Sequence, residues 1–315
     1  MEKTNNTITR KFSLFASTDT VSRKVFVVCN YIFLAILSLI CIAPFAHLLA
    51  LSFSGDAYTS SGQVGLVPKG FTLDAYILLA GKPEFFRAFG ISVARTVLGT
   101  LFSLLVVILA AYPLSKGNKR FKGRTALAWI LAFTRWFSGG LAATYVLYGS
   151  LGLIDNFLVF IIPNACDVYF VIRLMNFFRK LPKDLEEAAR RDGCSQLQIL
   201  FKIFVPLSIP AIVTIVLFTA VGQWNSWFDG ILFRNDPKNY PLQSYLYNRI
   251  RSTDPTKRVS AGGKLTPEQL EQLKNIGSKN IQSAQIFLGR LPVTIIFPFV
   301  QKYFVKGLTL GGVKE

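Results

Sequence analysis

Residues 25–51 contain no Asp, Glu, Lys or Arg. Such a run exceeds the roughly 20 mostly apolar residues that a helix needs to cross the hydrocarbon core of a bilayer. Lipid offers no partner to unpaired backbone N–H and C=O groups, so an open chain placed there must be helical. Further apolar stretches follow at 91–113, 125–147, 153–176, 209–232 and 284–304. An all-α polytopic membrane protein with six transmembrane helices is therefore expected. One span-bearing domain covers 25–305, between a polar leader at 1–24 and a short tail at 306–315. The third, fourth and sixth stretches each carry an ionisable residue and read less cleanly than the first and fifth. The first is too long for a cleavable signal peptide, and no small-residue cleavage site follows it.

Composition agrees with this reading. Apolar residues make up 51% of the 315-residue chain and charged residues 17%, against roughly 25% charged in a soluble domain. An ordinary cytosolic enzyme and a disordered chain are both excluded. Thirty-five Lys and Arg face 17 Asp and Glu, a net charge of +18. In a soluble protein that excess would point to nucleic acid; here membrane lipid is a sufficient partner and no nucleic acid is expected. Cys29, Cys41, Cys166 and Cys194 show neither metal-ligand spacing nor a disulfide framework. His47 is the single histidine, alone in an apolar run. No Ser/His/Asp or Cys/His set, no metal site and no Gly-x-x-x-x-Gly-Lys-Ser/Thr phosphate loop can be assembled, so neither catalysis nor nucleotide binding is expected of this chain.

Basic residues orient the spans. Lys3, Arg10, Lys11, Arg23 and Lys24 lie in the leader, and Lys116, Lys119, Arg120, Lys122 and Arg124 in the loop at 114–124, whereas 148–152 is uncharged. The positive-inside rule then puts both termini, 114–124 and the loop at 181–208 in the cytoplasm. The external loop at 234–283 dissents with a basic excess, but loops this long test the rule poorly. Within it, Thr266-Pro267-Glu268-Gln269 supplies an N-cap, a first-turn proline and a capping-box Gln. Leu270, Leu273 and Ile276 then share a face before Gly277, which predicts a lid helix.

Segment 181–210 reads as two short helices with a break. Pro182 suits a first turn, Asp184, Glu186 and Glu187 sit near the positive end, and Arg190 and Arg191 near the negative end. Ala188 and Ala189 leave a flat surface for close approach, and Gly193 stops the helix. Ser195 with Gln198 makes a capping box, Leu197, Leu200, Phe201 and Phe204 recur at helical spacing, and Pro206 closes the second helix. A small-faced, charged helix held between two spans suits docking in a partner's cleft.

Glu187-Ala188-Ala189, Gly193 and Ile203-Phe204-Val205-Pro206, at this spacing, resemble the EAA loop of binding-protein-dependent ABC importer permeases. Val205 departs conservatively from the leucine usual there. Trp224-Asn225-Ser226-Trp227-Phe228 resembles the aromatic-Asn segment of the carbohydrate-uptake branch. The tail from Phe304 to Lys314 is similar to that of the smaller maltose-permease subunit. Among these permeases the likeness is greatest to the polysaccharide and complex-oligosaccharide branch, and it covers about residues 25–315. It implies a six-span, type I permease in a bacterial plasma membrane. It also implies a homologous second permease, two ATPase subunits that bind ATP and magnesium, and an external solute-binding protein. Residues implied for ATPase coupling are Glu186, Glu187, Ala188, Ala189, Asp192 and Gly193, with Glu187 as the polar contact; the Gly-rich tail at 307–312 is implied to reach the same partner.

Pathway candidates follow from charge and ring chemistry. Arg135, Asp167, Arg173 and Arg290 fall within expected spans, where a charge implies a partner or a wet cavity; snorkelling or helix-to-helix bonding are the plainer alternatives. Arg173 lies six residues beyond Asp167 and so points to another face. Trp224, Asn225 and Trp227 offer stacking faces and an amide for sugar rings, against simple core packing, and Asn164 adds another amide. The cations would match the repeated carboxylates of an acidic, uronate-containing oligosaccharide, and they would equally bond the hydroxyls of a neutral one, the cargo favoured on sequence. An ion-coupled secondary sugar transporter is the alternative function. It needs coupling carboxylates and usually a repeat, whereas only Asp155, Asp167 and Asp229 lie in or beside the spans and no repeat is clear. A membrane-embedded enzyme would need a catalytic set.

Overall fold

A computed structural model describes residues 20–117, 121–252 and 279–312. Among them the regular structure is helical, and the only strand-like pairing is an isolated antiparallel bridge between Ser54 and Phe71. The expected lid helix at 266–277 lies outside the described residues, as does most of the leader.

The first two apolar stretches become long helices, α1 (Val21–Ser52), followed by the short α2 (Asp56–Ser60) and α3 (Asp74–Ala80), and then α4 (Pro83–Ser115). Both long helices are apolar and long enough to cross a membrane. At 33 residues α4 spans about 50 Å, against a hydrocarbon core of about 30 Å, so it extends beyond the core. It also begins eight residues before the expected stretch, because Pro83 is preorganised for a first turn. Arg23 and Lys24, assigned to the leader, fall in the first turn of α1.

The third stretch is not one straight helix. It divides into α5 (Arg124–Trp136) and α6 (Gly140–Ser150), bent by 117°. Phe137 is extended and Gly140 has φ +77°, a conformation that a glycine adopts without a Cβ clash. The fourth stretch departs further. Gly152 (φ +66°) and Asp155 (φ +59°) turn the chain, a single 3-10 turn forms at Phe157–Phe160, and regular helix resumes only as α7 (Val168–Lys180). Asn156 and Asp167 start these two elements by accepting from the backbone N–H groups of Leu158 (3.0 Å) and Tyr169 (2.9 Å).

Next come α8 (Lys183–Arg191) and α9 (Gln196–Leu207), the latter containing a π turn at Leu200–Phe204. Helix α9 ends at Leu207, one residue beyond Pro206, and the chain bends by 83° at buried Ser208 to enter α10 (Ile209–Asn225). The fifth stretch ends as a separate helix, α11 (Phe228–Phe233). Part of the loop expected to be external forms α12 (Leu242–Ser252), and the last stretch lies inside α13 (Lys279–Gly312), whose backbone stays helical through most of the expected tail. Two described helices are long and apolar enough to cross a membrane, or up to four if each bent pair is one span.

Helix α4 is the hub, packed on α7 and α10, while α1 lies against α13. Small residues on α4 (Ser92, Gly99, Ser103, Ala111) permit close approach, the usual means of helix association without a water-driven force. One core gathers Val107, Val171, Leu174, Ile199 and Leu200 towards the C-terminal end of α4; a second gathers Phe85, Trp224, Leu242 and Ile281 at the opposite end. Neither α5 nor α6 buries a residue, and the apolar window of α1 is uncovered.

Candidate functional site

Between α4, α5, α7, α10 and the 153–167 segment lies a cavity of about 660 Å³ whose walls include Arg95, Arg135, Asn164, Asp167, Phe170 and Gln223. Three sequence candidates, Arg135, Asn164 and Asp167, therefore converge on it. Arg135 sits in the last turn of α5, where its cation also faces the negative helix end. Asp167 is half-buried and uses one oxygen to cap α7. Among the described residues no ion pair joins Asp167 to an arginine. Ser103 Oγ and Thr219 Oγ1 on the same walls are buried without a hydrogen-bond partner among the described residues, which suits a hydroxyl-rich guest.

The remaining candidates lie elsewhere. Arg173 lines a second cavity, of about 420 Å³, and rests over the Tyr169 ring at 4.5 Å. Arg290 donates to Asn225 Oδ1 at 3.0 Å, tying α13 to the end of α10. Trp224 is buried in the second core, donates to the Gly289 carbonyl at 2.9 Å and meets Phe89 edge-on. Trp227 stacks on Tyr247 at 4.2 Å.

The most buried charge in this region, Arg95, was not among those candidates. Its side chain is 1% exposed; it donates to Gln223 Oε1 (3.0 Å), the Ser226 carbonyl (3.3 Å) and Asp229 Oδ1 (3.1 Å), and pairs as well with Asp229 Oδ2. The Phe160 ring covers it at 4.7 Å. Asp229 is completed by the Ser226 hydroxyl and the Gly230 N–H, both at 2.9 Å. The signal in the sequence was an arginine inside an otherwise uncharged apolar run, with an acid at the edge of another.

At the far end of α4 the charged helix α8 is seated by its own side chains. Glu186, 5% exposed, accepts from Lys116 Nζ (2.9 Å) and from Arg190 (2.8 Å), and Lys116 lies over the rings of Tyr112 and Phe204 at 4.0 and 4.1 Å. Ala189 packs into the core beside them. Glu187, Ala188, Asp192 and Gly193 face outward. The helix ends in a Schellman motif: Cys194 N–H bonds the Ala189 carbonyl (3.0 Å) and Gly193 N–H the Arg190 carbonyl (3.1 Å), with Gly193 at φ +77°. The expected capping box is present, Gln198 N–H to Ser195 Oγ at 3.3 Å and Ser195 N–H to Gln198 Oε1 at 2.8 Å.

Long apolar helices around a polar cavity have the make-up of a membrane transport subunit. Comparison with known proteins agrees. The chain is 38% identical over 298 residues to Protein LplC of Bacillus subtilis (strain 168), covering 94% of this chain and 97% of the relative. It is 37% identical over 294 residues to the polygalacturonan/rhamnogalacturonan transport system permease protein YtcP of the same organism, covering 93% and 100%. A crystal structure of a bacterial ABC transporter involved in the import of the acidic polysaccharide alginate superposes with a TM-score of 0.81 at 31% identity, over 92% of this chain and 100% of that one. No family model matches the chain. The protein belongs to the permease subunits of ABC transporters for oligosaccharide import; it is an integral membrane transport subunit and not an enzyme.

Proposed function

We propose that this chain pairs with a homologous second permease, two ATPase subunits and an external solute-binding protein to import an acidic, uronate-containing oligosaccharide across a bacterial plasma membrane. Both termini lie in the cytoplasm, the remaining spans are completed within the bilayer, and ATP with magnesium is held by the ATPase partners. The apolar faces of α1, α5 and α6, exposed in this chain alone, suit lipid and the second permease.

The observation that carries the reading is the seating of α8. Its buried face is fixed to α4 through Glu186 and Lys116, while Glu187, Ala188 and Gly193 are turned outward at the end of the bundle. A push on the outward face by a closing ATPase is thus delivered to the helix that lines the cavity. ATP and the loaded binding protein then favour the same one of two helix packings. The acidic cargo is supported by Arg135 on the cavity wall and by what the relatives are said to import, polygalacturonan or rhamnogalacturonan in one case and alginate in another.

Uptake by the reconstituted assembly, with matched neutral and uronic oligosaccharides in competition, tests both parts. ATP-dependent uptake preferring the uronic series is expected. Preference for the neutral series removes the acidic cargo, and uptake by this chain without an ATPase removes the importer.

A further inference from the structure

We infer that the end of α4 beside α8 holds the phosphate of an anionic phospholipid. A cavity of about 390 Å³ opens there, lined by Lys116, Arg124, Arg179 and Lys183, with Glu186 as the only acid among the described residues on its walls. Glu186 is already engaged by Lys116 and Arg190, so the cavity keeps a surplus of positive charge. Arg124 Nε (2.9 Å) and Arg179 Nη2 (3.2 Å) both donate to the Leu114 carbonyl. That shared acceptor plants two guanidinium groups at the last turn of α4. Each guanidinium has five N–H donors, so a fork for phosphate oxygens is left on both. Lys183 makes no ion pair among the described residues and adds a third cation at the rim.

Capping of the α4 end explains one bond from each arginine, but not the convergence of further cations on an open cavity. A free anion would account for the charge but not for the surface beside it. A neighbouring cavity, of about 480 Å³, shares Lys116 and is walled by Leu109, Pro113, Phe121, Leu197 and Leu200, with Arg190 and Gln196 on its polar side. Leu109 is 43% exposed and Leu197 60%. An acyl chain laid along these side chains would place its phosphate among the cations. Basic cavities between helix ends at a bilayer surface are suited to anionic headgroups. The inference rests on α4 crossing the membrane and is independent of which solute is carried.

Native mass spectrometry of the detergent-purified transporter containing this chain tests it, with phosphatidylglycerol, phosphatidylcholine and inorganic phosphate as separate probes. Wild type is expected to retain phosphatidylglycerol over phosphatidylcholine, and R124Q/R179Q to lose roughly tenfold of that retention. Because both arginines also cap α4, K183Q serves as the variant without a structural bond, and is expected to weaken retention severalfold; K122Q, at an exposed position outside the cavity, is the surface-charge control. Equal retention by K183Q and wild type, equal loss in K122Q, or displacement of the lipid by inorganic phosphate alone would each overturn the lipid site. Transport is not the readout, so an error about the cargo leaves this result interpretable.

Discussion

Arg95 and Asp229 stand 134 residues apart in the chain, yet the Arg95 guanidinium donates to both carboxylate oxygens of Asp229. The pair fixes α4 to the first turn of α11. Removing one partner of a buried pair strands the other charge, at a cost of about 3–5 kcal/mol, whereas replacing both by apolar side chains is often neutral. R95M and D229M are each expected to lower the melting temperature of the purified transporter sharply, and R95M/D229M to recover most of the loss. Simple addition of the two single effects in the double variant would show that the residues do not act as a pair.

Two glycines carry different consequences. A Cβ at Gly99 would lie 2.9 Å from Gln223 Nε2 and 3.0 Å from its Cδ, and Gln223 is the acceptor that orients Arg95. G99A therefore displaces an anchored side chain, an overpacking cost of about 1–3 kcal/mol. At Gly193 no atom lies within 4 Å of an added Cβ, and only the positive φ is penalised, by about 1–2 kcal/mol. G193N is expected to retain more stability and uptake than G193V, because asparagine tolerates the left-handed region. Equal behaviour of the two would remove the conformational argument.

Local rules made α8 and α9 legible. The stop at Gly193 and the Ser195–Gln198 box each depend on residues within one turn, so the sequence suffices to place them. The breaks inside the third and fourth stretches are not legible, because a hydropathy window averages across Gly139-Gly140 and across the turns at Gly152 and Asp155, where the backbone leaves the helix. Neither the burial of Arg95 nor the anchoring of Glu186 is legible in the sequence, for a shared reason. Both depend on partners, Asp229 and Lys116, brought close only by packing. The same holds for Trp224: nothing nearby in sequence reveals that its indole is spent on Gly289.

Lys82, which precedes α4 at the end opposite α8, supplies a pH prediction. Burial, aided by the Arg249 cation and opposed by Glu84, pulls its ammonium below the ordinary 10.5. The unfolded chain then binds more protons than the folded one between the lowered value and 10.5. Stability should rise as the pH climbs through that window and level off above it. Alkaline denaturation curves of wild type and K82M read this out; the increment should be absent in K82M, and an unchanged curve would assign the pH dependence to other groups.

Glu186 separates anchoring from docking. E186Q keeps the shape of α8 but leaves Lys116 buried between Tyr112 and Phe204 with a weaker acceptor, at a cost on the order of a few kcal/mol. The α8 seat should loosen, so that ATP hydrolysis in the assembled transporter is less tightly linked to uptake. The ratio of sugar moved to ATP consumed is the measurement, with a severalfold drop expected. E187Q, altering the outward face, should instead weaken copurification of the ATPase. If E186Q lost the ATPase and E187Q lost only the ratio, the roles assigned to the two acids would be reversed.

Arg135 bears on the cargo most directly. It shares the cavity wall with Asp167, to which no ion pair joins it among the described residues, and Arg95 on the same wall is neutralised by Asp229. A charge-assisted hydrogen bond contributes about 1.5–3 kcal/mol, so R135Q should raise the apparent KM for a uronic oligosaccharide roughly tenfold or more. The KM for a neutral oligosaccharide of the same length should stay nearly constant, because a glutamine amide still serves hydroxyl groups. R135K should fall between the two, retaining the charge but losing the planar fork that matches a carboxylate. Equal KM changes for both sugars would make Arg135 a wall residue without a role in charge selection, and the uronate reading would then rest on the relatives alone.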